Sequence, residues 1–174
     1  AEYVTQAEVT GTGDALSKSK ELLQGQAEHV LVLTGDAPLV RQESVELLMA
    51  SHADSHGDMT FLTCITGSAK DFGRVVRDEQ GQVVKIVEAA DQTDVSEEIA
   101  EVNGSVYCFR DGWLWENIGD IPKASKGERY ITSLVEIGAS RQGSVEANLT
   151  DNPTELMGVN DRLQLSQVEA ILRQ

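Results

Sequence analysis

Short apolar runs alternate with segments whose apolar residues recur at helical spacing over most of the chain. The runs typical of strands lie at residues 2–6, 29–36, 58–66, 102–109 and 144–150. The helical patterns cover residues 13–25, 41–57, 111–121, 128–143 and 158–174, and the last begins near Asn160 or Asp161. Two Val-rich segments around Gln80-Gly81, within residues 72–91, predict an antiparallel β-hairpin.

The run HVLVLTGD at residues 29–36 is nearly continuous in Val and Leu, which is typical of a strand buried on both faces. We expect it to be a central, parallel strand. Because strands and helices alternate and one hairpin interrupts them, the sequence predicts an α/β fold, a mostly parallel sheet sandwiched by helices with an antiparallel hairpin insertion. No repeat or linker divides the chain, so residues 1–174 are expected to form a single domain.

Charge and hydropathy exclude some classes of partner. The 174-residue chain has a formal net charge of -15, and its 14 Lys and Arg residues are scattered, so no nucleic-acid partner is expected. No apolar stretch is long enough to span a membrane and no apolar leader opens the chain, so neither a membrane partner nor secretion is expected. Cys64 and Cys108 each lie inside an apolar run, and we interpret both as reduced core residues, which favours a cytoplasmic location.

Polar residues at strand ends are candidates for ligand binding, because ligands of open α/β sheets bind outside the carboxyl ends of the strands. Asp36 ends the run HVLVLTGD, and a metal or ribose ligand explains it as well as a turn aspartate does. For Asn160 a helix cap is the simpler explanation, and for Glu88 a solvated carboxylate. The pattern alone therefore leaves Asp36 open and favours no ligand-binding role for Asn160 or Glu88.

Two further patterns carry little weight by themselves. Gly11-Thr12-Gly13 stands between a predicted strand and a helix, where glycines allow main-chain amides to approach a ligand, although an ordinary tight turn is the simpler explanation. The three histidines form no catalytic dyad. His52 and His56 are spaced to share a helix face, but no acidic zinc motif accompanies them, so no zinc site is expected.

Seven motifs, taken in order, carry a resemblance that none of them would establish alone. They read QAEVTGTGDAL, LTGDAPLV, FGRVVRD, IVEAADQTD, EVNGSVYCF, GERYITSL and GVNDRLQLSQVE. Over the whole chain they resemble the uridyltransferase domain of the bacterial bifunctional N-acetylglucosamine-1-phosphate uridyltransferase/glucosamine-1-phosphate acetyltransferase. The resemblance implies a Rossmann-like nucleotide-diphospho-sugar transferase fold. It also implies a Mg²⁺-dependent reaction of UTP with N-acetylglucosamine 1-phosphate, which gives UDP-N-acetylglucosamine and pyrophosphate for peptidoglycan and lipopolysaccharide precursors.

The resemblance also implies roles for individual residues, none of them a side-chain nucleophile. Gln6 matches the glutamine that reads uracil. The other positions matched to the base and nucleoside are Gly11, Thr12 and Gly35, and the magnesium ligands are matched by Asp36 and Asn160. The positions matched to the amino-sugar pocket are Gly73, Glu88, Asn103, Tyr130 and Thr132.

The sequence departs from this family in several places. The glycine-rich phosphate loop, the first strand and the hexapeptide repeats of the acetyltransferase β-helix are not found in it. We therefore expect a partial domain with weak or no turnover alone and a tendency to self-associate, derived from a parent that forms homo-oligomers through its C-terminal domain. Gly104-Ser105 stands where the resemblance leads us to expect a small residue followed by glycine. Asp14 stands where the resemblance leads us to expect histidine.

Two alternative functions remain open at this point. One is a non-catalytic module that binds sugar nucleotides. The other is a hexose-1-phosphate thymidylyltransferase or uridylyltransferase relative, with the same fold but a different sugar or base.

Overall fold

The computed structural model describes residues 1–67, 72–92, 99–124 and 126–173. Within these ranges it contains six strands, and they are β1 (His29–Leu33), β2 (Met59–Ile65), β3 (Arg74–Arg77), β4 (Val83–Val87), β5 (Glu101–Arg110) and β6 (Val145–Leu149). The α-helices of the same ranges are α1 (Thr12–Ser17), α2 (Lys20–Leu23), α3 (Gln42–Ser55), α4 (Asp111–Asn117), α5 (Ser133–Ser140) and α6 (Arg162–Leu172). No helix in the described part of the chain is long and apolar enough to cross a bilayer.

The sheet is built around β5, the longest strand. One side of β5 pairs with β2, from Met59 opposite Phe109 to Ile65 opposite Glu101. The other side pairs with β3 near the start of β5 and with β1 near its end. Strand β6 extends the sheet beyond β2 as a parallel neighbour, and β4 extends it beyond β3 as the second strand of a hairpin.

The predicted fold class is confirmed. Strands β1, β2, β3 and β6 run in one direction and β4 and β5 in the other, because every pairing except that of β2 with β6 is antiparallel. The antiparallel hairpin was also predicted correctly, and Gly81 occupies its turn with φ of 81°. Four of the six described strands therefore run in the same direction, while the central strand β5 runs in the opposite direction.

Two strand predictions were wrong. The run at residues 29–36 forms β1, but among the described residues it pairs only with β5, antiparallel, and Leu33 is half exposed. A continuous apolar run shows that a strand is apolar and does not show how many neighbours it has. Residues 2–6 form no strand, and Tyr3 is 92% exposed, because no described strand lies beside them to complete a ladder.

Helix boundaries differ from the predicted ones where side chains compete with the main chain. Residues 13–25 form two short helices, because the hydroxyls of Ser17 and Ser19 donate to main-chain carbonyls three residues earlier. The pattern at residues 128–143 shortens to α5. The start of α6 is as predicted, with the Asp161 side chain accepting from the N–H of Gln164 at 2.8 Å.

Two apolar clusters lie on the two faces of the sheet, and β5 contributes to both because its side chains alternate. Tyr107 and Phe109 belong to the cluster that contains Trp113 and Leu134, from α4 and α5. The cluster on the opposite face includes Leu48 of α3, Leu62, Cys64, Val106 and Cys108. Helices therefore cover both faces. Both cysteines are buried free thiols, as predicted, and burial raises the pKa of each to about 11.

Candidate functional site

The structure brings Asp36 and Asn160 together. The main-chain carbonyl of Asp36, just after β1, accepts a hydrogen bond from the N–H of Val159 at 2.8 Å. Gly158 lies between the two side chains: a Cβ built there would be 3.5 Å from Nδ2 of Asn160 and 3.9 Å from Oδ2 of Asp36. Both side chains are exposed. The two residues predicted to hold a metal therefore lie at one place, although the chain separates them widely.

A cavity of about 390 Å³ opens beside this pair. Its lining includes Asp36, Asn160, Thr34, Ser105 and Gln164. The hydroxyl of Thr34 is buried and has no hydrogen-bond partner among the described residues. A buried polar atom without a partner is unfavourable by itself, and a ligand or water in the cavity would supply the partner. Thr34 was not among the residues predicted from the sequence.

The donor set fits Mg²⁺ and does not fit a closed protein cage. Asp36 offers a carboxylate and Asn160 an amide oxygen, both of which are hard oxygen ligands. No cluster of three or more His, Cys, Asp or Glu residues suited to a metal occurs in the described ranges. Magnesium commonly retains several waters and takes further ligands from substrate phosphates, so two protein oxygens at an open cavity suffice.

Glu155 holds the segment that carries Asn160. It lies in a 3₁₀ turn, Pro153–Leu156, and is only 1% exposed. Its carboxylate accepts from the Ser44 hydroxyl at 2.6 Å, from the N–H and side chain of Arg41 at 3.3 Å, and from the Thr150 hydroxyl. Burial would raise its pKa, but these donors outweigh burial and hold the pKa below its usual value.

A second group of predicted residues meets beside β3 and β5. The N–H of Asn103 donates to the carbonyl of Gly73 at 2.9 Å. A Cβ built at Gly73 would be 3.6 Å from Oε2 of Glu88, and the hydroxyl of Thr132 donates to Oε1 of the same carboxylate. Asn103 and Thr132 are buried and Glu88 is half buried. Four of the residues matched to the sugar pocket thus form one polar group.

Two residues of this group, Glu88 and Asn103, have side chains whose surroundings affect a pKa. Burial raises the pKa of Glu88 above its usual value, against the lowering effect of the Thr132 hydroxyl. The side-chain amide of Asn103 donates to the hydroxyl of Tyr107 at 2.7 Å. Burial also raises the pKa of Tyr107, and the nearby charges of Glu88 and Asp36 act in the same direction. Tyr107 is therefore joined to this polar group through Asn103.

The residues matched to the base form a third group, joined to the second through residues 129–132. The N–H of Ile131 donates to the hydroxyl of Thr12 at 3.1 Å, and the N–H of Gly13 donates to the carbonyl of Arg129 at 2.8 Å. At Gly11 φ is 102° and a Cβ would lie 2.4 Å from that carbonyl oxygen, so only glycine fits. The side-chain amide of Gln6 donates to the main-chain carbonyl of Gly11 and to the carboxylate of Asp14.

The remaining two predicted residues, Gly35 and Tyr130, make fewer contacts with the other predicted residues. Gly35 is exposed beside Asp36, and a Cβ there would meet no atom within 4 Å. The hydroxyl of Tyr130 donates to Glu128, and this bond is the main reason that the pKa of Tyr130 rises to about 12. The cavity beside Asp36 is lined by neither of these residues.

Comparison with known proteins places the chain in a family. The model of the Nucleotidyl transferase family matches residues 1–152, and the chain belongs to that family. Three curated relatives share the name "Bifunctional protein GlmU". The relative from Solibacter usitatus is 37% identical over 98% of this chain and 37% of its own length. The relative from Clostridium novyi is 39% identical over 98% of this chain and 38% of its own length. The relative from Bacillus licheniformis is 34% identical over 100% of this chain and 38% of its own length. The chain thus spans little more than a third of these relatives.

Proposed function

We propose that this chain forms the nucleotide-sugar site of a uridyltransferase that joins UTP and N-acetylglucosamine 1-phosphate to give UDP-N-acetylglucosamine and pyrophosphate. The observation that carries the proposal is the approach of Asp36 and Asn160 across Gly158 at the edge of a cavity. These are the two residues that the motif resemblance assigns to magnesium. Membership of the Nucleotidyl transferase family and the alignment of the relatives along nearly all of this chain support it.

Catalysis of this kind depends on positioning and charge neutralisation more than on covalent chemistry. Bound Mg²⁺ would supply charge compensation for the phosphates. Asp36 and Asn160 would hold it, and the Asp36 to Val159 hydrogen bond keeps the two ligands in register. The phosphate oxygen of the sugar phosphate is the nucleophile toward the α-phosphorus of UTP, and the β–γ diphosphate leaves. No side-chain nucleophile is therefore needed.

The polar group around Glu88 suits an amino sugar. Glu88 presents acceptor oxygens for sugar hydroxyls, and the hydroxyl of Thr132 fixes one of them in place. The amide of Asn103 is oriented by Tyr107 in the same way. A sugar hydroxyl or acetamide would gain hydrogen bonds that are already directed, which lowers the entropic cost of binding. We assign sugar recognition to these residues and base recognition to Gln6, Gly11 and Thr12.

Titration calorimetry with UDP-N-acetylglucosamine in the presence of Mg²⁺ tests the proposal. We expect it to bind at least about tenfold more tightly than dTDP-glucose. Equal affinity, or preference for dTDP-glucose, would favour a thymidylyltransferase relative. A pyrophosphate-release assay with UTP and N-acetylglucosamine 1-phosphate should show weak or no turnover by this chain alone, and robust turnover would contradict that expectation. Tight binding of UDP-N-acetylglucosamine at physiological concentration without turnover would favour a non-catalytic sugar-nucleotide module.

We also propose that the chain self-associates and acts in the cytoplasm. Within the described residues β1 pairs on one side only, and an open strand edge can pair with another chain. The two buried free thiols fit a reducing compartment. Light scattering over a range of concentrations tests the first point, and a monomer throughout would contradict it.

A further inference from the structure

The side chain of Gln6 is held in one orientation. Its Nε2 donates to Oδ2 of Asp14 at 2.8 Å and to the main-chain carbonyl of Gly11 at 3.2 Å. A carboxylate and a carbonyl can only accept hydrogen bonds, so the amide nitrogen of Gln6 must face both of them. Both of its hydrogens are then engaged. The carboxamide oxygen is the atom of Gln6 left to meet a ligand.

Asp14 is well suited to enforce this orientation. It is half buried in the first turn of α1 and forms an ion pair with Nζ of Lys18 at 3.1 Å. The hydrogen bond from Gln6, followed by those from Thr10 and Lys18, lowers the pKa of Asp14 to about 2. The carboxylate is therefore ionised, and acts as an acceptor only, at every pH at which the protein would work.

We propose that Asp14 is a positioning residue for base selection, because by holding the amide nitrogen of Gln6 it leaves only an acceptor atom facing the base. The inference rests on the proposed function, in which Gln6 lies against the nucleotide base. Uracil carries a donor, N3–H, where cytosine carries an acceptor, N3. The carboxamide oxygen of Gln6 can accept a hydrogen bond from N3–H of uracil. Against cytosine the same oxygen faces N3, which is also an acceptor, and no hydrogen bond forms.

A glutamine that was free to turn would not discriminate in this way. Rotation of the carboxamide by half a turn exchanges its oxygen and nitrogen, and the nitrogen would then donate to N3 of cytosine. The main-chain carbonyl of Gly11 accepts at the longer of the two distances, so Asp14 is the stronger anchor. Loss of Asp14 should therefore make the second orientation accessible.

Calorimetric titration of UDP and of CDP, with Mg²⁺ present, tests this in four forms of the chain: wild type, Asp14→Ala, Asp14→Asn and Lys18→Ala. We expect the wild type to prefer UDP by about ten- to a hundredfold, the difference made by one unpaired polar contact. Asp14→Ala should reduce the preference for UDP over CDP to a few-fold or less. Asp14→Asn retains an acceptor oxygen and should therefore keep much of the wild-type preference. Lys18→Ala removes the ion pair but not the contact with Gln6, so its ratio should match the wild type.

The outcomes separate this inference from the proposed function. If the wild type binds neither nucleotide, both are overturned. If the wild type prefers UDP and Asp14→Ala keeps the same ratio, or weakens UDP and CDP equally, the role of Asp14 alone is overturned. A ratio for the wild type that stays constant from pH 6 to 8 supports an acceptor that is always ionised, and a ratio that changes over that range contradicts it. If Asp14→Ala fails to fold, Asp14→Leu, which is close to Asp in size and has no acceptor, takes its place and should reduce the ratio in the same way.

Discussion

The N–H of Val159 donates to the carbonyl oxygen of Asp36, 2.8 Å away, and joins the end of β1 to the segment before α6. This bond links Asp36 to the residue that precedes Asn160, so it connects the segments that carry the two predicted metal ligands. It uses no side-chain atom, so the Asp36 carboxylate and the Asn160 amide stay available to a ligand. Substitutions of either side chain can therefore be made without removing the contact that positions them.

Replacement of Glu155 should destabilise the fold and the site together. Glu155→Ala leaves Ser44, Thr150 and Arg41 without their shared acceptor, and we expect the free energy of unfolding to fall by about 3 kcal/mol. Urea denaturation measures this loss. Glu79→Ala, at an exposed position in the hairpin turn, is the control and should change stability little. An equal effect of both substitutions would contradict the anchoring role.

The half-buried Glu88 should make stability fall as pH rises. Its pKa is above the usual 4.5 in the folded state, so the folded protein binds the proton more tightly than the unfolded chain does. Stability is then lost from about pH 4.5 up to the folded pKa. Glu88→Gln can still accept from Thr132 but does not titrate, and it should be more stable than the wild type above that window, with the advantage disappearing in acid. Thermal melting of the wild type and of Glu88→Gln at several pH values measures this difference in stability. A difference that stays constant with pH would contradict the raised pKa of Glu88.

The buried His52 should have the opposite effect. Burial, assisted by the neighbouring His29, lowers the pKa of His52 from 6.5 to about 4, so the unfolded chain takes up a proton that the folded protein does not. Stability should fall as pH drops from 6.5 towards 4. His52→Gln keeps a hydrogen-bonding group near Thr60 and should flatten this dependence. His56→Asn, at an exposed left-handed helix cap, is the matched control and should leave the dependence unchanged.

Ser105→Gly should stabilise the protein by about 1 kcal/mol. Ser105 has φ of 57°, a conformation in which glycine carries no steric cost, and its N–H bond to Asn103 at 3.2 Å would remain. Because the substitution also removes the side-chain hydrogen bond between Ser105 and Tyr107, about 1 kcal/mol is the upper limit of the gain. Gly81→Ala, at φ of 81° in the hairpin turn, is the inverse substitution and should destabilise by a similar amount. Urea denaturation of both variants checks the pair, and stabilisation by both would contradict the argument from φ.

Most of the fold could be predicted from the sequence because strand and helix patterns are local. The hairpin, the start of α6 and the strand that became β5 were all identified. The reversed direction of β5 and the edge position of β1 were not, because pairing depends on distant residues and an apolar run of Val and Leu looks alike in either place.

The candidate site was predictable in part, and through a resemblance more than through pattern. Pattern alone left Asp36 open and favoured a helix cap for Asn160, and the ordered motifs assigned the two residues together. Glu155 was missed because an isolated Glu beside a proline turn looks like a surface residue, and only the folded structure collects its donors. The contact of Gln6 with Asp14 was missed for a related reason, since it depends on side-chain orientation.

The most direct test of the central claim is the Mg²⁺ dependence of UDP-N-acetylglucosamine affinity, measured by calorimetry with Mg²⁺ and with EDTA. The wild type should bind at least about tenfold more tightly with Mg²⁺, the effect of one lost charge-compensating contact. Asp36→Asn should abolish that difference, while Asp54→Asn, an exposed carboxylate in α3, should keep it. A full Mg²⁺ effect in Asp36→Asn would contradict the assignment of Asp36 as a metal ligand.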